Sequence, residues 1–161
     1  MPLRPIAALC LVVSCLALVP TEGAAQGPRR SGWSGISAGA RAGRDFENHA
    51  WSLGAQAAIP LQARLELRPS GDYFLGDRTP FRWQLNADAV MKFGPRGTVY
   101  GGGGAAFTRV RALSRVKTGY NLFFGVVGGT RLRSQLFVEF RWTFVNRTSP
   151  FRLAVGVNQS L

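Results

Sequence analysis

The chain has 161 residues with 20 Lys and Arg against 8 Asp and Glu, a formal net charge of +12, and 46% apolar residues. That length suits one domain, and the basic residues form no continuous helix face of the kind that reads nucleic acid, so nucleic acid is not expected as a partner. No apolar run after residue 25 reaches the ~20 residues a spanning helix needs, so any membrane crossing must be made by a closed barrel.

Residues 1–25 have the order of a secretory leader: basic Arg4, an apolar run from Ile6 to Val19, then the small residues Gly23, Ala24 and Ala25. The expected mature chain starts at Gln26 and forms one domain over 26–161. A lipoprotein-type cut before Cys15 fits less well, because the apolar run continues through Leu16 to Val19. Both cysteines, Cys10 and Cys15, fall in the leader, which removes thiolate metal sites and a cysteine nucleophile from the mature chain.

From Trp33 onward the apolar period is 2, the mark of strands with two unlike faces. Trp33 to Gly43 sets Ile36, Ala38, Ala40 and Ala42 against Ser37, Gly39 and Arg41. Trp51 to Leu61 sets Trp51, Leu53, Ala55, Ala57 and Ile59 against Ser52, Gly54 and Gln56. Gln62 to Ser70 sets Ala63, Leu65 and Leu67 against Arg64, Glu66 and Arg68, and Pro69, Gly71 and Asp72 read as its end. Phe81 to Phe93 is the most regular, with Phe81, Trp83, Leu85, Ala87, Ala89, Met91 and Phe93 opposite Arg82, Gln84, Asn86, Asp88 and Lys92.

Val99 to Val110 is the fifth strand, its facing left open by Gly101 to Gly104, which suggest close approach of neighbouring side chains. Tyr120 to Leu132 is the sixth. In the seventh, Leu136, Val138, Phe140, Trp142 and Phe144 oppose Glu139, Arg141 and Thr143, and in the eighth Phe151, Leu153, Val155 and Val157 oppose Arg152, Gly156 and Asn158 before Leu161. The expectation is an all-β, eight-stranded antiparallel up-and-down transmembrane barrel. The connections after strands one, three and five read as longer than those after two, four and six, which orients the barrel with its termini in the periplasm. Trp51, Tyr73, Phe81, Trp83, Phe144 and Phe151 gather near the long-loop rim, and Trp33, Phe93 and Leu161 near the other.

The eight alternating strands, the glycine-rich fifth, Glu139 and Arg141 within Phe137 to Trp142, and the alternating end Phe151 to Leu161 resemble the small outer-membrane barrels related to OmpA and OmpX. That resemblance implies a monomeric protein of the bacterial outer membrane, in contact with its lipid and lipopolysaccharide. It also implies that Phe151, Leu153, Val155, Val157 and Leu161 form the signal by which the barrel-assembly machinery inserts the chain. Members usually end on an aromatic residue where this chain has Leu161.

Facing parity puts Arg41, Arg64, Arg68, Arg82, Lys92, Arg141 and Arg152 inside with Glu66, Asp88 and Glu139, a set that suits an ion-pair network filling a closed lumen. A narrow conduit favouring anions is the alternative. Arg109, Arg111, Arg115 and Lys117 form a basic loop suited to lipopolysaccharide phosphates. No catalytic residue, metal site or cofactor is expected. The lone His49 lies in a loop with no nucleophile on its strand face, which leaves a lipid A-modifying enzyme as a weaker reading, and Gly101 to Gly104 lack the Lys-Ser/Thr and helix of a phosphate loop.

Overall fold

The computed structural model describes residues 35–76, 79–93, 98–111, 115–129, 134–145 and 148–161. The leader, Trp33, the turn at 94–97 and Arg131 to Arg133 lie outside the described residues. Eight strands follow one another: β1 (Ser37–Asp45), β2 (Ala50–Pro60), β3 (Leu65–Leu75), β4 (Phe81–Phe93), β5 (Val99–Val110), β6 (Val116–Gly129), β7 (Ser134–Phe144) and β8 (Phe151–Ser160). Each pairs antiparallel with the next, and β1 pairs with β8, from Ser37 opposite Ser160 to Asp45 opposite Arg152. Closure leaves no strand edge without a partner, the condition for crossing hydrocarbon with strands.

Strands of 9 to 14 residues match the ~9–11 needed to span a bilayer at a tilt. Their outward positions carry large apolar side chains in the open: Leu85, Tyr120, Leu122, Phe124, Leu136 and Val155 are each about half exposed. Soluble monomers rarely expose apolar surface continuously around their circumference. Most inward positions are polar or charged. This is a barrel turned inside out relative to a soluble one, as lipid outside requires.

Four features differ from the sequence expectation. The third strand does not end at Ser70 but runs on to Leu75. Pro69 stays in register with Ala87 of β4, while the β2–β3 ladder is interrupted between the pairs Gln56–Ser70 and Ile59–Leu67. A missing N–H is tolerated at such a gap. The sixth strand begins at Val116, four residues earlier than Tyr120. All seven connections therefore span four to six residues, and the length contrast used for orientation is absent. The rim opposite the termini is still set apart by its aromatic residues, among them Phe46, Trp51, Tyr73 and Tyr120.

The fourth difference is a register shift between Phe81 and Trp83 against β5. It turns Phe81 inward, where its ring meets Phe74 at 6.0 Å, and leaves Arg82 exposed on the outside. A bulge of this kind cannot be seen in a strict alternation.

The glycines of the fifth strand acquire a role through register. On the inner face Tyr100 lies opposite Gly125, Phe123 opposite Gly102, and Phe137 opposite Gly156. A Cβ on Gly125 would stand 2.5 Å from the Tyr100 ring, and one on Gly102 would stand 2.8 Å from the Phe123 ring. Each ring lies in the slot that the glycine of the adjacent strand leaves open. With Val90, these three aromatic residues form a buried apolar cluster in the half of the lumen nearer the termini.

Overfilling a packed core costs about 1–3 kcal/mol. Gly125→Ala should therefore lower the melting temperature of the folded barrel in detergent. Gly128→Ala, which has nothing within 4 Å of the added carbon, should leave it unchanged or slightly raised. Equal effects at the two positions would contradict the slot-and-ring packing.

Candidate functional site

Among the described residues the lumen gathers the paired charges, and two carboxylates organise it. Asp72 of β3 accepts from Arg41 Nε at 2.8 Å and Nη2 at 2.6 Å, from Arg152 Nη2 at 3.0 Å, and from Asn86 Nδ2 at 3.3 Å. Glu139 of β7 accepts from Arg141 Nε at 2.9 Å, Arg68 Nη1 at 3.2 Å and the Tyr100 hydroxyl at 3.1 Å, with Arg41 Nη1 at 3.6 Å. Arg41 therefore bridges the two groups, and its remaining hydrogens go to Gln56 Oε1 at 3.2 Å and Ser70 Oγ at 2.9 Å.

Arg141 donates from Nη1 to Asp88 Oδ2 at 2.7 Å, and its guanidinium lies 4.4 Å from the Phe123 ring centroid. Asn121 completes Asp88 with a bond of 3.0 Å and reaches Asn86 Oδ1 at 2.9 Å. Nearer the termini, Glu66 pairs with Arg68 and with Lys92 Nζ at 2.7 Å, while Arg68 lies over the Tyr100 ring at 4.6 Å. Arg152 lies over Phe74 at 5.5 Å. Charge-assisted bonds of this length are the strong ones, and here they join β1, β3, β4, β7 and β8 across the interior.

Asp88, Glu139 and Arg141 are fully buried. The layer they occupy is filled by side chains, the usual outcome for eight strands. Arg41, Arg68, Lys92, Lys117, Arg141 and Arg152 face inward against Asp45, Glu66, Asp72, Asp88 and Glu139, so the described lumen has one cation more than it has carboxylates. Most of the chain's positive excess therefore lies elsewhere.

The structure brings Glu66, Arg68, Asp88, Lys92, Glu139, Arg141 and Arg152 together. It corrects two other assignments. Arg64 is exposed in the β2–β3 turn, because β3 starts at Leu65 instead of Gln62, and Arg82 is exposed through the bulge. Sequence reasoning misses Asp72, which reads there as part of a turn, and Tyr100, whose strand has no assigned face. Continued alternation through Ser70, Asp72 and Phe74 was the available signal for the first.

Of the basic set near the loops, Arg109 is a strand residue on the outer face, and Arg115 is exposed in the β5–β6 connection. Arg111 donates to the carbonyls of Phe74 at 3.3 Å and Phe81 at 3.5 Å, holding the turn. Lys117 pairs with Thr108, which places it on the lumen side of β6. Phe151, Leu153, Val155 and Val157 form the outward row of β8. There Phe151 stacks with Phe46 at 5.6 Å and packs on Trp142 at 4.9 Å, and Leu161 N bonds to Ile36 O at 3.0 Å. His49 is exposed in the β1–β2 turn with φ near 50°. Among the described residues no group of three His, Cys, Asp or Glu could hold a metal.

No protein-family model and no curated protein sequence matches the chain. Solved structures do. The N-terminal β-barrel domain of Pseudomonas aeruginosa OprF matches with a TM-score of 0.65 at 17% identity, covering 76% of this chain and 94% of that one. Neisserial surface protein A matches with 0.54 at 17%, covering 78% and 96%. A de novo designed transmembrane β-barrel matches with 0.58 at 11%, covering 82% and 98%. At such identities the likeness is one of fold. The chain has the architecture of the small eight-stranded outer-membrane β-barrels.

Leaving one buried charge without its partner costs on the order of 3–5 kcal/mol, less where water reaches it. Asp72→Asn and Glu139→Gln each strip a shared carboxylate from two or more guanidinium groups, so both should lower thermal stability in detergent more than Asp88→Asn, which serves a single arginine. An Asp88→Asn loss as large as the other two would show that the network is not organised around shared carboxylates.

Proposed function

We propose that the chain is an exported outer-membrane protein whose role is structural. It is delivered by a cleaved leader, inserted by the barrel-assembly machinery through its last strand, and resident as a monomer among outer-membrane lipid and lipopolysaccharide. The observation that carries this reading is the filled lumen. Asp88, Glu139 and Arg141 form a buried layer held by ion pairs between the two mouths. The same layer weighs against a conduit favouring anions, since the inward arginines are paired with carboxylates instead of standing free. The fold neighbours support the membrane assignment, and connections of four to six residues leave little chain outside the membrane with which to hold a large soluble partner.

Planar-bilayer recording tests the reading. The wild-type protein, shown to be folded by its heat-dependent shift in gel mobility, should give little or no steady conductance. Large stable channels from the folded protein would mean that the lumen is an open wet pore and that the structural role is wrong.

A further inference from the structure

The outer wall near the loop end carries cations whose arrangement is set by the bulge in β4. Tyr73 of β3, Trp83 of β4 and Arg109 of β5 are register partners and form one outward row close to the strand ends. The register shift adds exposed Arg82 beside Trp83, so two arginines bracket one indole at the level where aromatic residues meet headgroups. Of the six carboxylates among the described residues, five face the lumen and Glu47 lies in the β1–β2 turn. None lies on the outer wall of β3 to β6.

The outward row directly below is Gly71, Leu85 and Phe107, whose two large side chains are exposed. Beneath it the wall is shallow: Pro69, Ala87 and Ala105 form one register row, and Ala89 with Gly103 the next, beside exposed Leu67. Tyr120 and Leu122 of β6, each about half exposed, rise beside Ala105 and Gly103 as its far bank. An acyl chain lying on small residues between larger ones gains contact along its length.

We propose that Arg82, Trp83 and Arg109, with Leu85, Phe107 and the trough below them, bind one molecule of a phosphorylated, multiply acylated saccharolipid of the lipid A class. A phosphomonoester offers more charge and more acceptor oxygens than the phosphodiester of a glycerophospholipid, and two guanidinium forks can share it. The site is on the rim opposite the termini; with an even strand number and periplasmic termini that rim faces the outer leaflet, and the inference rests on the outer-membrane reading proposed above.

The test is native mass spectrometry of the chain from Gln26 onward, folded in detergent and offered bisphosphorylated lipid A, dephosphorylated lipid A or phosphatidylglycerol. The folded wild type should retain one bisphosphorylated lipid A in preference to the other two. Arg82→Gln and Arg109→Gln should each reduce retention about tenfold, the loss expected for one charge-assisted pair. Arg44→Gln, a rim arginine already placed 5.0 Å over the Trp51 ring, should leave retention unchanged. Equal retention of phosphatidylglycerol or of the dephosphorylated lipid, or undiminished retention by the double Arg82→Gln, Arg109→Gln variant, overturns the proposal. If Arg109→Gln fails to fold, exposed Arg82→Gln alone decides. A wild-type chain that gives no heat-modifiable barrel refutes the membrane reading itself, whereas a folded barrel that holds no lipid refutes only this site.

Discussion

Charge buried at the centre of a narrow barrel has to be matched by charge from other strands, and that requirement shapes this molecule. Asp72 on β3 and Glu139 on β7 stand on well-separated strands, and Arg41 on β1 reaches both. Each carboxylate serves more than one guanidinium, so the strands are tied across the lumen as well as along their hydrogen-bonded edges. A single change at either position reaches several strands at once.

The rest of the interior follows from the space the network leaves. Toward the termini, where apolar rings replace charges, there is room for Tyr100, Phe123 and Phe137 only because glycine stands opposite each ring. Toward the loops, Gln84, Asn86, Asn121 and Thr143 exchange hydrogen bonds, among them Thr143 Oγ1 to Asn121 Oδ1 at 2.9 Å. The outside is governed by lipid. Its aromatic side chains cluster on β6 to β8, where Phe124 stacks on Phe140 at 5.0 Å, while the outer wall from β1 to β5 is rich in Ala and Gly. That asymmetry, with arginines above the small residues, gives the two sides of the barrel different relations to the bilayer.

Much of the fold was legible because alternation reports facing directly. The fourth and fifth strands have the bounds read from sequence, and parity alone puts Glu139 and Arg141 on the face opposite Phe140 and Trp142. Illegible parts failed for local reasons. Pro69, Gly71 and Asp72 have the chemistry of a turn, yet the barrel uses the proline at a ladder gap and the aspartate as a hub. Arg82 keeps perfect parity in the sequence and loses it to a bulge. Arg64 was counted inside because its turn was placed too early. The partners of Glu139 come from β1, β5 and β7 as well as Arg68 of β3, and no pattern within one strand predicts which distant residues meet.

The central claim is that the polar face is inside and the apolar face meets lipid. Circular dichroism of the chain from Gln26 onward, in detergent micelles and in plain buffer, tests it most directly when paired with gel mobility before and after heating. The account predicts a strand-rich spectrum and a heat-dependent mobility shift in micelles, with aggregation or an unfolded spectrum in buffer. A soluble, monodisperse, strand-rich monomer in plain buffer would contradict it.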